Sequence, residues 1–363
     1  MTAWWARYAI ERYGQGSSSA ATAWQALHAT VYGIDERANA TEGGFKREKA
    51  KGGLLAFPLA HSYNDQISHW WYPVNRLVGA WRDLTVAATE LPPALVADPD
   101  GTYVYDLVNV GRECLDRAAD VLFGRLAAAT SAAGVGSAGD ALLQLHSDAD
   151  ALLCTAGGFS LARVLDQAAK LGQAAGQAAG QGAHAATAGA STAAGINASF
   201  FDRMARAQVT TWLPACQTKA EFAGGVCSVH VNSSQAPPLE DYANKAWGGP
   251  RAIRTHATTP PTCDVAAQPR ICSAELVPTP LLAGGLVRYY YGGRVQCYVS
   301  QARSDFSAGA GVNATAVFAC IDELSRTFQA DTKRSAFPIC NQPVGDAVAL
   351  SKALAAKYGP LLE

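Results

Sequence analysis

Charge is scarce in this chain. Only 16% of its 363 residues are Asp, Glu, Lys or Arg, and 29 basic against 30 acidic residues leave a formal net charge of −1. A nucleic-acid or anionic-membrane partner needs a basic surface, so neither is expected. Long apolar runs are also missing; even Pro278–Val287 is short and carries glycines, so no membrane span is expected. The start, Met1-Thr2-Ala3-Trp4-Trp5-Ala6-Arg7-Tyr8, lacks a basic stretch followed by an apolar one. No signal peptide is expected from it, and it reads as a helix from its first residues.

The familiar chemical signatures are missing too. There is no P-loop, no Gly-x-Gly-x-x-Gly after a strand, no His-Glu-x-x-His and no Gly-x-Ser-x-Gly. Nine cysteines are present, but without Cys-x-x-Cys or paired-histidine spacing they do not form a zinc motif. The seven histidines are scattered. Carboxylate neighbours such as Asp148/Asp150 and Glu240/Asp241 cannot be ranked as acid and base from sequence, because nothing shows environments that split their pKa values.

What is present is helical periodicity, with no convincing alternating strand. Residues 2 to 13 read as a helix closed by Gly14, and Ser17 to Ser19 offer caps for a second helix through Tyr32. Residues 34 to 68 lose the period and read as a surface loop with a solvated basic run. A helix from Val74 to Thr89 should bury Leu77, Trp81, Leu84 and Ala88. Another from about Tyr103 carries the stripe Leu107, Val110, Cys114, Ala118 and Val121. A break at Gly134 to Gly136 should precede a helix bearing Leu142, Leu145, Ala149, Leu152 and Leu153, with Cys114 and Cys154 as buried thiols. A sixth helix starts near Ser160. Residues 167 to 195 then become an Ala/Gly/Gln expansion whose glycines oppose a rigid helix. Further helices are expected near Pro280, from Asn313 or Thr315 through Phe328, and from Val344 to Tyr358. The expected fold is all-α, an irregular bundle of roughly ten helices with long loops.

Two cysteine pairs, Cys216 with Cys227 and Cys263 with Cys272, lie in polar loops and look like local disulfide staples, favouring an oxidising compartment. Four glycosylation acceptors agree: Asn39, Asn197, Asn232 and Asn313, each followed by Ser or Thr two residues on. The stretch from Ser199 to Trp247 ends in two helix termini that could bring Trp212, Tyr242 and Asn244 to one rim. Aromatic faces pack on a pyranose while amide and carboxylate groups bond its hydroxyls, so such a rim suits a sugar. On residue type alone, Trp212 and Tyr242 read first as core residues with satisfied polar tips.

Several ordered segments resemble the C-terminal helical region of the α-N-acetylglucosaminidases, glycoside hydrolase family 89. They are Ala9 to Gly14 with Ala23 to Leu27 and Val31-Tyr32, then Gly79 to Leu84, Tyr105 to Asn109, Arg206 to Trp212 and Asp241 to Lys245. Gly285 to Val287 with Tyr289-Tyr290, and Gly345 to Val348 with Lys357-Tyr358, complete the series. The resemblance implies a retaining hydrolase acting on terminal α-linked N-acetylglucosamine of heparan sulfate, lysosomal or secreted, with no metal or organic cofactor. Retaining chemistry needs two carboxyls about 5 Å apart. In the family these are glutamates on a (β/α)8 barrel that this chain does not contain, so none is assigned here. The helical region packs on that barrel, in cis or in trans, and lends pocket-lining residues; by motif these are Trp212 and Tyr242, with Leu239 beside them. Ala207 stands where an aromatic is expected and Leu213 where a glycine is expected. Insertions at residues 215–236 and 248–282 flank the Tyr242 motif and hold both loop cysteine pairs. The alternative reading is a stand-alone, non-catalytic module that binds glycans or a partner protein.

Overall fold

The computed structural model describes residues 2–32, 54, 72–182, 205–206, 283–331 and 333–363. Ten α-helices are found among them, with no strand, only an isolated parallel bridge between Ser160 and Gly284. The chain divides into two compact units. One comprises Met1–Ala162, Leu282–Leu324 and Phe337–Glu363, the other Arg163–Leu281 and Ser325–Ala336.

In the first unit, α1 (Thr2–Tyr13) ends at Gly14, whose φ of +71° an L side chain rarely adopts. Helix α2 (Ser18–His28) begins where the Ser17 hydroxyl accepts from Ala20 N at 3.0 Å. Such a cap contributes about 1 kcal/mol. Helix α3 (Val74–Ala87) buries Leu77, Val78, Trp81 and Leu84, while Ala88 lies past its end and is half-buried. A short α4 (Pro93–Val96) leads into α5 (Thr102–Ala127), which packs against α1, α3, α4 and α6 and is buried on nearly every side. Its apolar stripe closes with Leu122 and Phe123 where Val121 was expected.

Helix α6 (Ala132–Leu153) runs straight through the expected break at Gly134 to Gly136. Ser131 caps it, accepting from Gly134 N at 3.1 Å. The glycines serve packing: a Cβ on Gly139 would lie 2.5 Å from Val299, and one on Gly136 2.9 Å from the Arg303 guanidinium. That close approach seats α8 (Gly292–Ser307) directly on α6. A π-helical turn, Val287–Tyr291, feeds α8 and buries Tyr290 and Tyr291. At the other end of the chain Asp346, accepting from Val348 N and Ala349 N, caps α10 (Ala347–Tyr358), which lies on α5, α3 and α6.

One cysteine expectation is corrected. Cys154 is not a buried free thiol on the helical stripe; α6 ends at Leu153, and the turn that follows carries Cys154 into a disulfide with Cys340. Val344 N donates to Cys154 O at 2.9 Å and Ser160 Oγ to Cys340 O at 2.8 Å, fixing both partners. A second disulfide, Cys297–Cys320, links α8 to α9 (Ala314–Ala330). Cys114 remains a buried thiol, and burial pushes its pKa well up.

In the second unit, α7 (Leu161–Gly182) enters from the first and continues into the Ala/Gly/Gln expansion, whose first part is therefore helical rather than loosely ordered. Its alanines and glutamines are strong helix formers and offset glycines that cost about 1 kcal/mol each. Arg334 pairs with Asp166 at 2.5 Å, and the Asp331 carboxylate accepts from Ser335 N and Ala336 N to close the turn after α9. Among the described residues no helix is long and apolar enough to cross a membrane.

Candidate functional site

The rim residues Trp212, Leu239 and Tyr242, with Asn244, lie outside the described residues, as do Cys216, Cys227, Cys263 and Cys272 and the acceptors Asn39, Asn197 and Asn232. Most of the 34 to 68 loop and both insertions lie outside them too. Of the rim motif, Arg206 is described, and it is fully buried. Its guanidinium donates to Phe328 O at 3.2 Å and sits 5.2 Å from the centre of the Phe328 ring. The head of the motif is thus an anchor rather than a ligand.

The remaining motifs converge on fasteners between helices. Arg12 and Tyr13 end α1, Trp24 lies on α2 and Asp106 on α5. The Asp106 carboxylate is buried and accepts from Arg12 Nε at 2.5 Å, Arg12 Nη2 at 2.6 Å and Tyr13 OH at 2.9 Å. Trp24 Nε1 donates to Tyr13 OH at 3.1 Å, and the Arg12 guanidinium lies 5.4 Å over the Trp24 ring. Hydrogen bonding to Asp106 holds Arg12 above its ordinary range, and burial followed by the Asp106 charge raises Tyr13. Arg12 and Tyr13 therefore both keep their protons near neutral pH, which suits a joint and not proton transfer.

Around this joint runs a ladder of rings. Trp4 stacks on Tyr8 at 5.5 Å, Tyr8 meets Trp24 edge-on at 4.9 Å, and Trp24 stacks on Tyr32 at 6.4 Å. Its ends are open: Trp4 is 56% exposed and Tyr32 57%, and Tyr105 beside Asp106 in α5 is 42% exposed while stacked on Phe159. This aromatic edge of α1, α2 and α5 is the largest concentration of exposed rings among the described residues.

Carboxylates elsewhere are also committed. Asp148 and Asp150 diverge from the same helix. Asp148 accepts from Lys357 Nζ and Tyr358 OH, both at 2.7 Å, and from Gln144 at 2.9 Å; burial opposes its charge, yet these bonds hold it below the usual carboxylate range. The Lys357-Tyr358 motif is therefore the clasp of α10 on α6. Asp150 instead accepts from Gly285 N at 2.7 Å and Arg288 N at 3.1 Å, capping the π-helical turn. Burial lifts its pKa to about 6 against the pull of those N–H groups. On α5, Glu113, Asp116 and Asp120 surround Arg117, and Asp116 Oδ1 also accepts from Leu54 N at 2.8 Å. Leu54 O in turn lies 3.1 Å from His146 Nε2, so one buried leucine of the long loop is held at both backbone groups. Sequence gave no signal for that contact.

Asp150, Cys154 and Cys340 bring three potential metal-ligand atoms within 4.8 Å of one another. The two sulfurs are bonded to each other, so they offer no thiolates to an ion. Of the four acceptor sequons, Asn313 is described, and it is exposed at the head of α9.

Comparison with known proteins places this arrangement. No curated protein matches the chain. The family model described as Alpha-N-acetylglucosaminidase (NAGLU) C-terminal domain matches residues 4–251, which includes α1 to α7 and the rim motifs. The chain therefore belongs to the family of α-N-acetylglucosaminidase C-terminal domains.

Proposed function

We propose that this chain serves as the helical C-terminal part of a retaining hydrolase acting on terminal α-linked N-acetylglucosamine of heparan sulfate, in a lysosomal or secreted setting. A catalytic barrel outside these 363 residues supplies both carboxyls. The helical part packs on that barrel and lends Trp212 and Tyr242, with Leu239 as an apolar wall, to the rim of the pocket. The family match over residues 4–251 carries this reading. The exposed aromatic edge of α1, α2 and α5 supports it, since a chain that works alone has no need to leave Trp4, Tyr32 and Tyr105 open to water.

The test is chromophore release from an aryl α-N-acetylglucosaminide. The purified chain alone should give none. Mixed with a barrel domain of the same family it should give turnover, and Trp212→Ala should raise KM roughly 10-fold, the loss of about 1.4 kcal/mol of ring contact. Turnover by the chain alone would overturn the assignment of the carboxyls to another segment. Tight binding of an N-acetylglucosamine-terminated glycan without any barrel would favour the stand-alone module instead.

A further inference from the structure

Asn313 combines three observations that the reading above does not use. The first is accessibility: Asn313 and Thr315 of the sequon Asn313-Ala314-Thr315 are both exposed, at the end of a loop that is exposed from Ser307 through Gly311. The second is how the asparagine is held. Its Oδ1 accepts from Ala316 N at 3.1 Å and its backbone N donates to Asp305 Oδ2 at 2.7 Å, with Asp305 itself bonded by Gln301 Nε2 at 2.9 Å. The cap uses only the oxygen of the amide, and Nδ2 takes no hydrogen-bond partner among the described residues. The third is the disulfide Cys297–Cys320, which bridges the two helices flanking this loop and forms only where thiols are oxidised. Sequon sugar transfer belongs to the same secretory setting.

We propose that Asn313 is an N-glycosylation site, its sugar coming from a polyprenyl-diphosphate-linked oligosaccharide. In the transfer a bond forms between Nδ2 and the anomeric carbon, and the bond from that carbon to the diphosphate oxygen breaks. Nδ2 loses one proton and the diphosphate leaves with the electron pair. Because Oδ1 alone makes the cap, the sugar and the cap coexist.

The full chain, expressed behind a cleavable secretion signal in cultured eukaryotic cells, is digested and treated with peptide N-glycosidase in heavy-oxygen water. The Asn313 peptide should carry the heavy-oxygen mark in both secreted and retained pools. The mark and one glycan's worth of mass should vanish in Thr315→Ala, which keeps the cap, and in Asn313→Asp, which keeps a capping oxygen and should melt at an unchanged temperature. Recovery of the Asn313 peptide unmodified from chain whose Cys297–Cys320 bond is formed would overturn the proposal. Glycan occupancy is read without turnover, so it fails or succeeds independently of the catalytic reading.

Discussion

Replacing Asp150 by Asn should stabilise this protein at neutral pH and do nothing for it in acid. The carboxylate is buried, capping the turn that starts at Gly285, and its pKa stands at about 6 in the folded chain against 3.8 for the free side chain. The cause is burial, which penalises the charged form more than two backbone N–H groups reward it. Between those two values the folded state holds a proton that the unfolded state has released. Stability from this group is therefore fully present below about pH 4 and is lost as pH rises through about 6. The gap is worth at most about 3 kcal/mol, taking 1.36 kcal/mol per pKa unit.

Asparagine keeps an acceptor for Gly285 N and Arg288 N but carries no charge. Its amide N–H then faces the Cys154 sulfur, 3.9 Å from Asp150 Oδ2. Urea unfolding followed by near-ultraviolet circular dichroism, at pH 7.5 and pH 4, compares the two proteins directly. The variant should gain up to about 3 kcal/mol at the higher pH and come close to the wild type at the lower. Comparing variant with wild type at each pH cancels the other titrating groups, including Glu90 and Asp148, whose lowered pKa values act in the opposite sense. A variant less stable at pH 7.5, or shifted equally at both values, would refute the reasoning. It would mean that the N–H groups reward the charge more than burial penalises it.

Other consequences are as concrete. Asp106→Asn strands the Arg12 guanidinium and weakens the joint between α1 and α5; because Arg12 is partly exposed, a loss of about 3 kcal/mol at the lower end for buried pairs is expected by the same unfolding assay. Gly111→Ala places a methyl 2.7 Å from the Trp81 ring and should cost about 1–3 kcal/mol, whereas Gly79→Ala, with nothing within 4 Å, should gain about 0.5–1 kcal/mol of helix propensity. Removing Cys154–Cys340, with a sequence separation of 186, should lower stability by up to about 5 kcal/mol, and removing Cys297–Cys320, with a separation of 23, by about 3 kcal/mol, measured as midpoint shifts in guanidinium. Glu90→Gln loosens the serine cradle at the start of α2, where hydrogen bonds from Ser19 and Ser17 push its pKa down to about 2. The loss, on the order of 1 kcal/mol after solvent screening, should appear above pH 4.5 and fade as pH falls toward 2.

Much of this fold is written in local periodicity. The cap at Ser17, the stop at Gly14 and the stripe of α6 follow from side-chain spacing and lie where the sequence puts them, whereas the last helix starts after an Asp346 cap rather than at Val344. The misreadings share a cause. Gly136 reads as part of a break until Arg303, some 160 residues away, is seen to need the space, and Gly139 one turn on makes the same room for Val299. Cys154 looks like a stripe residue until Cys340, 186 residues on, is brought beside it. Local sequence records what a residue prefers; it does not record which distant partner changes the balance. The carboxylates show the same limit, since Asp148 and Asp150 are two residues apart yet differ in the sign of their pKa shift: bonds from α10 and Gln144 hold Asp148 down, while burial lifts Asp150 against the N–H groups of the π-helical turn.

That limit bears on how a family likeness should be used. The segments that carry the family likeness are dominated by groups whose partners are internal: Arg12 and Tyr13 meet at Asp106 with Trp24 on the Tyr13 hydroxyl, Lys357 and Tyr358 meet at Asp148, and Arg206 meets Phe328. Such joints tolerate little change, because truncating one partner leaves a buried charge or phenol without its bond. They therefore keep a fold recognisable while the sequence between them changes, as at Ala207 and Leu213 in the rim motif. The likeness thus establishes the scaffold more firmly than the pocket. A pair of single variants separates the two. Arg206→Met should destabilise the chain by about 1–3 kcal/mol through the lost bond to Phe328 O, while Trp212→Ala should leave unfolding nearly unchanged and act on KM in the assembled enzyme. If Trp212→Ala proves as destabilising as Arg206→Met, the indole belongs to the core and the pocket must be sought elsewhere.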